Sequence, residues 1–305
     1  MARRTAHRPV TELAALAAPD DPRLGRLRQL APRLGAPVAV RDDPAVSLLT
    51  GELSPQEATA VRELGATGEL DVVIRPETDP SARRLVVLDV DSTVIRNEVI
   101  DLLAAEAGCG DEVARVTERA MAGELDFAAS LTARVGLLAG LDAAAIDRAR
   151  ARMELTPGVE AMVESLHAAG HVVGVVSGGF TPFTDHLTAR LGLDRSHANT
   201  LEVVDGRLTG RVLGEIVDAG VKARTLTAWA DAYGIDLPHT VAIGDGANDL
   251  AMIAAAGIGI AFCAKPIVRQ RADACLSTPR LDVIPPLLGV TDRHKRDVFG
   301  PIRSR

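Results

Sequence analysis

The sequence is poor in lysine and in long apolar runs, and both shortages exclude classes of protein. Only Lys222, Lys265 and Lys295 are lysines among 34 basic residues, and 41 acidic residues leave a net charge of −7. The chain therefore lacks the basic excess of proteins that bind nucleic acid or acidic membranes through charge alone. No segment approaches the ~18 consecutive apolar residues of a membrane span. We expect neither nucleic acid nor a membrane as a partner.

Cysteine is also scarce. Cys109, Cys263 and Cys275 are odd in number and contain no CxxC pair. This pattern indicates neither a disulfide framework nor a zinc site, so reduced thiols are expected. The basic residues near the N-terminus are not followed by the ~7–15 apolar residues of a secretory signal. These observations together predict a cytoplasmic protein.

The first part of the chain, residues 1–80, is predicted to be a small α+β domain. Apolar spacing predicts the order αββαβ, with helices at 24–34 and 55–64 and strands at 38–40, 46–49 and 71–74. The second helix has a typical start, with Ser54 as a cap, Pro55 in the first turn and an early acid at Glu57. The proline-rich stretch 76–80 is predicted to be a linker.

From residue 84 the pattern changes to that of an alternating α/β domain. Continuous apolar runs at 85–88, 171–176 and 240–243 are typical of parallel strands that are buried on both faces. Asp89, Ser177 and Asp245 follow these runs. Because the carboxyl ends of parallel strands share one edge of a sheet, where ligands bind in such folds, we expect these polar groups to meet.

Two further segments interrupt the alternation of strands and helices. Residues 94–155 have helical periodicity without a strand-like run, which predicts an inserted helical cap. Residues 201–209 alternate around Asp205-Gly206, which is a strong hairpin signal.

Two acidic motifs can carry chemistry at the predicted sheet edge. Asp89 and Asp91 stand in DVDST, where one carboxylate can attack while the other handles a proton. Asp245 and Asp249 stand in GDGAND, and such clustered oxygens suit Mg²⁺. Either motif, taken alone, is also found as a structural turn with solvated acids.

Two weaker signals suit a phosphate group. Ser177, Gly178 and Gly179 combine a hydroxyl with backbone amides that are able to cradle phosphate, although SGG by itself is more often a turn. Lys222 would ordinarily be interpreted as an exposed helix lysine. Its place in the order of motifs favours a role in the site.

The ordered set of DxDST, SGG, a lysine and GDGAND resembles the haloacid dehalogenase-like phosphatases over roughly residues 84–290. Within that superfamily the sequence is most similar to the phosphoserine phosphatases. The resemblance implies an α/β fold: a Rossmann-like parallel sheet with a helical cap insertion, in a phosphatase domain at 81–305 that follows the small N-terminal domain.

The resemblance also implies roles for the acidic residues. Asp89 would be the nucleophile and Asp91 the general acid and base. Mg²⁺ would be held by Asp89, by the backbone carbonyl of Asp91 and by Asp245, while Asp249 would orient a water on the metal. Thr93 would hydrogen-bond the general acid.

The remaining implied roles concern the substrate. Ser177, Gly178, Gly179, Lys222 and Asn248 would hold the phosphate oxygens. Glu98 would meet an ammonium group and Arg134 a carboxylate, for which a guanidinium fork is well suited. Met121 and Phe127 would cover the pocket. Solvated helix charges, or packing inside the cap, are the alternatives for these four cap residues.

The activity implied is Mg²⁺-dependent hydrolysis of O-phospho-L-serine through an aspartyl phosphate, the last step of serine biosynthesis. Three alternatives stay open: phosphoryl transfer to another alcohol, hydrolysis of another small phosphomonoester, and an amino-acid sensor. For residues 1–80 the alternatives are a degenerate ACT-like module, related to ferredoxin-like βαββαβ domains, and a dimerisation or structural domain. A homodimer is a further expectation.

Overall fold

The structure is a computed structural model that describes residues 11–75 and 82–290. The strands of the described residues are β1 (Thr11–Ala15), β2 (Val38–Asp42), β3 (Ala45–Gly51), β4 (Val72–Arg75), β5 (Leu85–Leu88), β6 (Val172–Phe180), β7 (Arg195–Val204), β8 (Arg207–Leu213), β9 (Thr240–Gly244), β10 (Ile258–Phe262) and β11 (Ala274–Leu276). They form one sheet in the order β2-β3-β1-β4-β11-β10-β9-β5-β6-β7-β8.

The helices cover both faces of this sheet and form the cap. They are α1 (Pro22–Leu30), α2 (Pro55–Thr67), α3 (Val99–Ala107), α4 (Gly110–Met121), α5 (Phe127–Gly136), α6 (Ala144–Ala151), α7 (Val159–Ala168), α8 (Thr181–Leu191), α9 (Ala219–Tyr233), α10 (Leu250–Ala255), α11 (Pro266–Arg269) and α12 (Ile284–Leu287). Within the described ranges no helix combines the length and the apolar character that crossing a membrane requires.

The centre of the sheet is parallel, as predicted. Strand β5 lies between β9 and β6, and Leu88 pairs with Ile243 on one side and Val175 on the other. Every residue of β5 and β9 is buried, because helices cover both faces of the apolar runs. This register brings the residues that follow these strands to one edge. The α/β fold with a parallel core and a helical insertion is therefore confirmed.

The insertion consists of helices α3 to α6, and the two chain segments that connect it to the core lie side by side. An antiparallel bridge joins Ile95 to Leu155, and the Arg96 amide donates to the Glu154 carbonyl at 2.8 Å. The predicted hairpin is also present as β7 and β8. Its turn residues Asp205 and Gly206 have φ values of 49° and 74°, as a two-residue type I′ turn requires.

The N-terminal region contains a strand that the sequence did not predict. The observed order is βαββαβ rather than αββαβ, because Thr11–Ala15 forms β1 between β3 and β4. Its sequence, TELAA, lacks the β-branched run that marks a strand, and pairing on both sides imposes the conformation. The order and the antiparallel arrangement β2-β3-β1-β4 are those of ferredoxin-like modules.

Other features of this region follow the sequence more closely. Helix α2 begins with a capping box in which Ser54 and Glu57 bond each other's backbone amides. The predicted linker at 76–80 lies outside the described residues, and the division into domains at residue 80 stays a prediction.

The N-terminal strands continue into the core sheet, and the buried side chain of Arg75 strengthens the junction. Strand β4 pairs with β11 through Val72 and Cys275. The Arg75 guanidinium is buried and donates to the carbonyls of Leu287 at 2.7 Å and Pro286 at 2.6 Å. These bonds satisfy carbonyl groups at the end of the described core, so this part of the chain and the N-terminal strands stabilise each other.

Replacement of Arg75 should destabilise the whole protein. Arg75→Met removes the donor to the buried Leu287 carbonyl and one of the two donors to the Pro286 carbonyl, which we expect to cost about 2 kcal/mol of unfolding free energy. The exposed Arg62, 3.9 Å from Asp273, is the matched control, and Arg62→Met should cost less than about 0.5 kcal/mol. Denaturant titration of both variants checks this, and equal stability of the two would contradict it.

Candidate active site

A buried ammonium group holds two of the predicted carboxylates together. Lys222 lies in the first turn of α9 and is completely buried, with Nζ 2.7 Å from Asp89 Oδ1 and 2.7 Å from Asp249 Oδ1. Asp218 caps the helix by accepting from the Val221 amide at 2.9 Å. The prediction that Lys222 belongs to the site, rather than to an exposed helix face, agrees with this geometry.

The acidic groups around Lys222 outnumber it. Oxygens of Asp89, Asp245 and Asp249 all lie within 4.8 Å of one another. Thr93 donates its hydroxyl to Asp245 Oδ1 at 3.2 Å. The sequence predicted a bond from Thr93 to Asp91, so the predicted partner is wrong. Thr93 follows β5 and Asp245 follows β9, so the register between these two strands brings Thr93 to Asp245.

The excess of negative charge changes the pKa values of the cluster. Burial, together with the charges of Asp249 and Asp245, raises the pKa of Asp89 to about 8 in spite of Lys222. Burial and the neighbouring acids raise the pKa of Asp245 to about 6. Burial alone would lower the pKa of Lys222, but Asp249 and Asp89 outweigh it and the net shift is upward. The lysine is therefore a permanent cation.

The donor set fits a hard divalent cation. It consists of carboxylate oxygens, which Mg²⁺ prefers, and one lysine does not neutralise it. The structure places Asp249 in the cluster beside the predicted ligands Asp89 and Asp245. Asp249 also accepts from the Gly246 amide at 3.0 Å, which ties it to the GDGAND turn. The backbone carbonyl of Asp91 stays a prediction as a further ligand.

The SGG motif does not end its strand. Strand β6 runs on to Phe180, and its pairing with β7 shifts between the pairs Val176↔His197 and Phe180↔Asn199. Two extra residues on β6 make a bulge, a device that re-aims backbone groups next to functional sites. Inside the bulge the Gly179 amide donates to Ser177 Oγ at 2.8 Å.

Steric contact with the cap explains why the bulge contains two glycines. A Cβ on Gly178 would stand 2.7 Å from Phe127 Cζ, and one on Gly179 would stand 2.7 Å from Val99 Cγ2. Both distances are shorter than van der Waals contact allows. The glycines therefore let the cap approach the backbone that was predicted to bind phosphate.

A cavity of about 740 Å³ separates the cap from the sheet edge. Predicted residues that line it from the core are Asp89, Asp91, Gly178, Gly179, Asp245 and Asn248. Those that line it from the cap are Glu98, Met121, Phe127 and Arg134. The four other predicted residues, Thr93, Ser177, Lys222 and Asp249, are buried behind its wall. The fold thus brings all the predicted site residues to one place.

Of the two charged cap residues, Arg134 is half-buried, whereas Glu98 is more exposed and is only partly removed from water. Glu98 accepts from the Ser92 hydroxyl at 2.8 Å, and burial raises its pKa. Burial lowers the pKa of Arg134, while Glu98 opposes that shift. A charged side chain that has lost part of its contact with water is stabilised most when a ligand supplies the opposite charge. Met121, by contrast, is 70% exposed at the rim and does not close the cavity.

Sequence reasoning missed two residues at this site. Lys265 also lines the cavity, and its amide donates to the Asp245 carbonyl at 3.4 Å. The scarcity of lysine was a usable signal for it. Asn199 is buried on β7 and donates to the Gly178 carbonyl at 2.8 Å. Nothing in the local sequence distinguishes this asparagine from any polar strand residue.

Comparisons with known proteins agree with this geometry. The haloacid dehalogenase-like hydrolase family matches residues 86–254. The chain belongs to this family. A solved haloacid dehalogenase family hydrolase from Salmonella enterica serovar Typhi superposes with a TM-score of 0.82 at 32% identity, over 92% of this chain and 98% of that one.

Named relatives of this haloacid dehalogenase-like hydrolase are phosphoserine phosphatases. The enzyme of Streptomyces coelicolor is 56% identical over 79% of this chain, and the match spans 58% of the relative's length. The enzyme of Streptococcus thermophilus is 53% identical over 65% of this chain and 92% of its own length. The chain therefore matches little more than half of the first relative and nearly all of the second.

The raised pKa values predict how the affinity of this acidic cluster for a divalent cation such as Mg²⁺ would depend on pH. Protons on Asp245 and Asp89 compete with the metal below about pH 6 and about pH 8, so Mg²⁺ affinity should rise steadily as the pH increases from about 5 to about 8. Isothermal titration calorimetry measures this. Asp245→Asn should weaken binding and flatten the profile, whereas an affinity independent of pH in the parent protein would contradict the assignment.

The same shifts act on stability in the opposite direction. Because the folded-state pKa values lie above the ordinary value of 3.8, the metal-free protein should lose stability as the pH rises through this window. Added Mg²⁺ should therefore raise the melting temperature more at about pH 8 than at about pH 5, which differential scanning fluorimetry can check.

Proposed function

We propose that the protein hydrolyses O-phospho-L-serine to L-serine and phosphate, with Mg²⁺ as cofactor and Asp89 as nucleophile. The observation that carries this proposal is the composition of one cavity of about 740 Å³. Its core side presents a carboxylate cluster suited to a metal, and its cap side presents Glu98 with Arg134, a charge pair complementary to a free amino acid. The identity to phosphoserine phosphatases supports the same substrate.

Two hydrogen bonds orient the nucleophile. Asp89 Oδ1 accepts from the Val90 amide at 2.7 Å and lies 2.7 Å from Lys222 Nζ. Both contacts fix the rotation of the carboxylate, and we assign attack on phosphorus to its other oxygen, Oδ2. In the first step an Asp89–phosphorus bond forms while the bond from phosphorus to the serine oxygen breaks.

Asp91 is suited to protonate the departing serine oxygen. Burial and the charges of Glu98 and Asp89 raise its pKa well above the ordinary value, so it holds a proton when substrate binds. The Val99 amide donates to Asp91 Oδ1 at 3.3 Å and orients it. After giving up this proton, Asp91 takes one from the water that attacks phosphorus. The Asp89–phosphorus bond then breaks and the carboxylate is restored.

The remaining groups stabilise charge on the phosphoryl group. Lys222 and the Ser177 hydroxyl are preorganised by the contacts described above, and Asn248 lines the cavity wall. Mg²⁺, when bound by Asp89 and Asp245, neutralises negative charge on the phosphate oxygens.

The cytoplasmic location and the homodimer stay predictions. Transfer to a second alcohol in place of water uses the same first step, and adding homoserine to the assay separates it from hydrolysis.

Phosphate release from three substrates tests the proposal. With Mg²⁺, we expect phosphoserine to be preferred over phosphoethanolamine, which lacks the carboxylate, and phosphoglycolate, which lacks the ammonium. Asp89→Asn should fold normally and release no phosphate. Arg134→Met should lower kcat/KM for phosphoserine by about 100-fold, since a charge-assisted bidentate contact is lost, yet change phosphoethanolamine turnover little.

The outcomes separate the alternatives. Equal loss on both substrates would contradict the role of Arg134 in carboxylate recognition. Preference for sugar phosphates would overturn the amino-acid substrate, and binding of phosphoserine without turnover would favour the sensor. Phosphohomoserine formed from added homoserine, in place of free phosphate, would identify a phosphotransferase.

A further inference from the structure

Asn199 is a buried side chain with both ends of its amide occupied. It is 1% exposed and lies on β7, opposite the bulge in β6. Its Nδ2 donates to the Gly178 carbonyl at 2.8 Å, and its Oδ1 accepts from the Val217 amide at 2.8 Å. The side chain therefore connects two backbone segments that are distant in sequence.

The first of these contacts sets the direction of one peptide group. A trans peptide is planar, so when the Gly178 carbonyl points at Asn199, the Gly179 amide must point the opposite way. That amide meets Ser177 Oγ at 2.8 Å. Because the hydroxyl oxygen accepts this bond, the hydroxyl proton of Ser177 is free to be donated to a phosphate oxygen.

The second contact acts on the segment that carries Lys222. Val217 precedes Asp218, the residue that caps α9, and Lys222 lies in the first turn of that helix. Val217 is completely buried, so its amide has no access to bulk water and needs an acceptor. By accepting that bond, Asn199 fixes the start of the helix relative to the bulge.

We infer that Asn199 is a positioning residue that holds the two phosphate-binding elements, the Ser177–Gly179 bulge and the first turn of α9, at a set separation. It touches no reacting atom and acts through Gly178 and Val217. The inference rests on the proposed function only in that it takes phosphate as the ligand of these elements.

Two variants test this role. Asn199→Asp keeps the shape and the acceptor for Val217 but loses the donor to Gly178, and Asn199→Ser shortens the side chain so that it no longer spans both contacts. Each should bind inorganic phosphate, with Mg²⁺ present, about ten-fold more weakly than the parent protein. Loss in kcat/KM for phosphoserine should be at least as large, and calorimetry with circular dichroism gives affinity and fold.

Thr240 offers a matched control. It is also buried, donates to the Leu237 carbonyl at 2.7 Å and accepts from the Gly257 amide at 3.1 Å, but it begins β9 at the sheet edge opposite the site. Thr240→Val should lower the melting temperature and leave phosphate affinity within about two-fold. If folded Asn199 variants retain phosphate affinity as this control does, the positioning role is wrong.

The readouts keep the two proposals separate. Should the parent protein bind phosphate but not hydrolyse phosphoserine, the proposed function fails while the affinity comparison still decides the role of Asn199. If neither variant folds, the parent protein decides by NMR: phosphate should slow exchange of the Asn199 side-chain amide protons with solvent. Unchanged exchange under saturating phosphate would then overturn the inference.

Discussion

The ion pairs of the buried Lys222 ammonium with Asp89 and Asp249 are the interaction on which the site depends. The ammonium lies 2.7 Å from both Asp89 and Asp249, completely out of water. Removing one partner from a buried ion pair typically costs ~3–5 kcal/mol, so each of the three groups stabilises the fold only in the presence of the others. Yet one cation cannot balance the cluster, since Asp245 adds a further carboxylate. Burial and the residual negative charge together raise the pKa values of Asp89 and Asp245, and the negative charge makes a divalent cation the natural complement.

Different elements of the fold supply the different groups of the site. The parallel strands β5 and β9 place carboxylates at one edge, and the β6 bulge adds a hydroxyl and amides there without ending the strand. The cap adds charges of both signs above them and approaches closely because Gly178 and Gly179 lack side chains. Within the same sheet, pairing of β4 with β11 and the bonds of Arg75 join the N-terminal strands to the core.

How far the sequence predicts this molecule depends on the range of the interaction. Continuous apolar runs and ordered motifs predicted the core strands β5, β6 and β9 and the residues at their ends, because those signals are local, whereas the short core strands β10 and β11 were not predicted. Strand β1 escaped prediction because two neighbouring strands, not its own residues, impose its conformation. The partner of Thr93 and the bridging role of Asn199 depend on the register between strands that are distant in sequence. Local periodicity carries no information about that register.

The proposed mechanism requires that Asp89 carries the phosphoryl group during turnover. Rapid acid quench of the protein with Mg²⁺ and phosphoserine, then borohydride reduction and peptide mass spectrometry, tests it most directly. We expect that Asp89, and no other acid of the cluster, is converted to homoserine, in proportion to the enzyme that is turning over. Conversion at Asp91, Asp245 or Asp249, or rapid phosphate release with no modified residue, would contradict it.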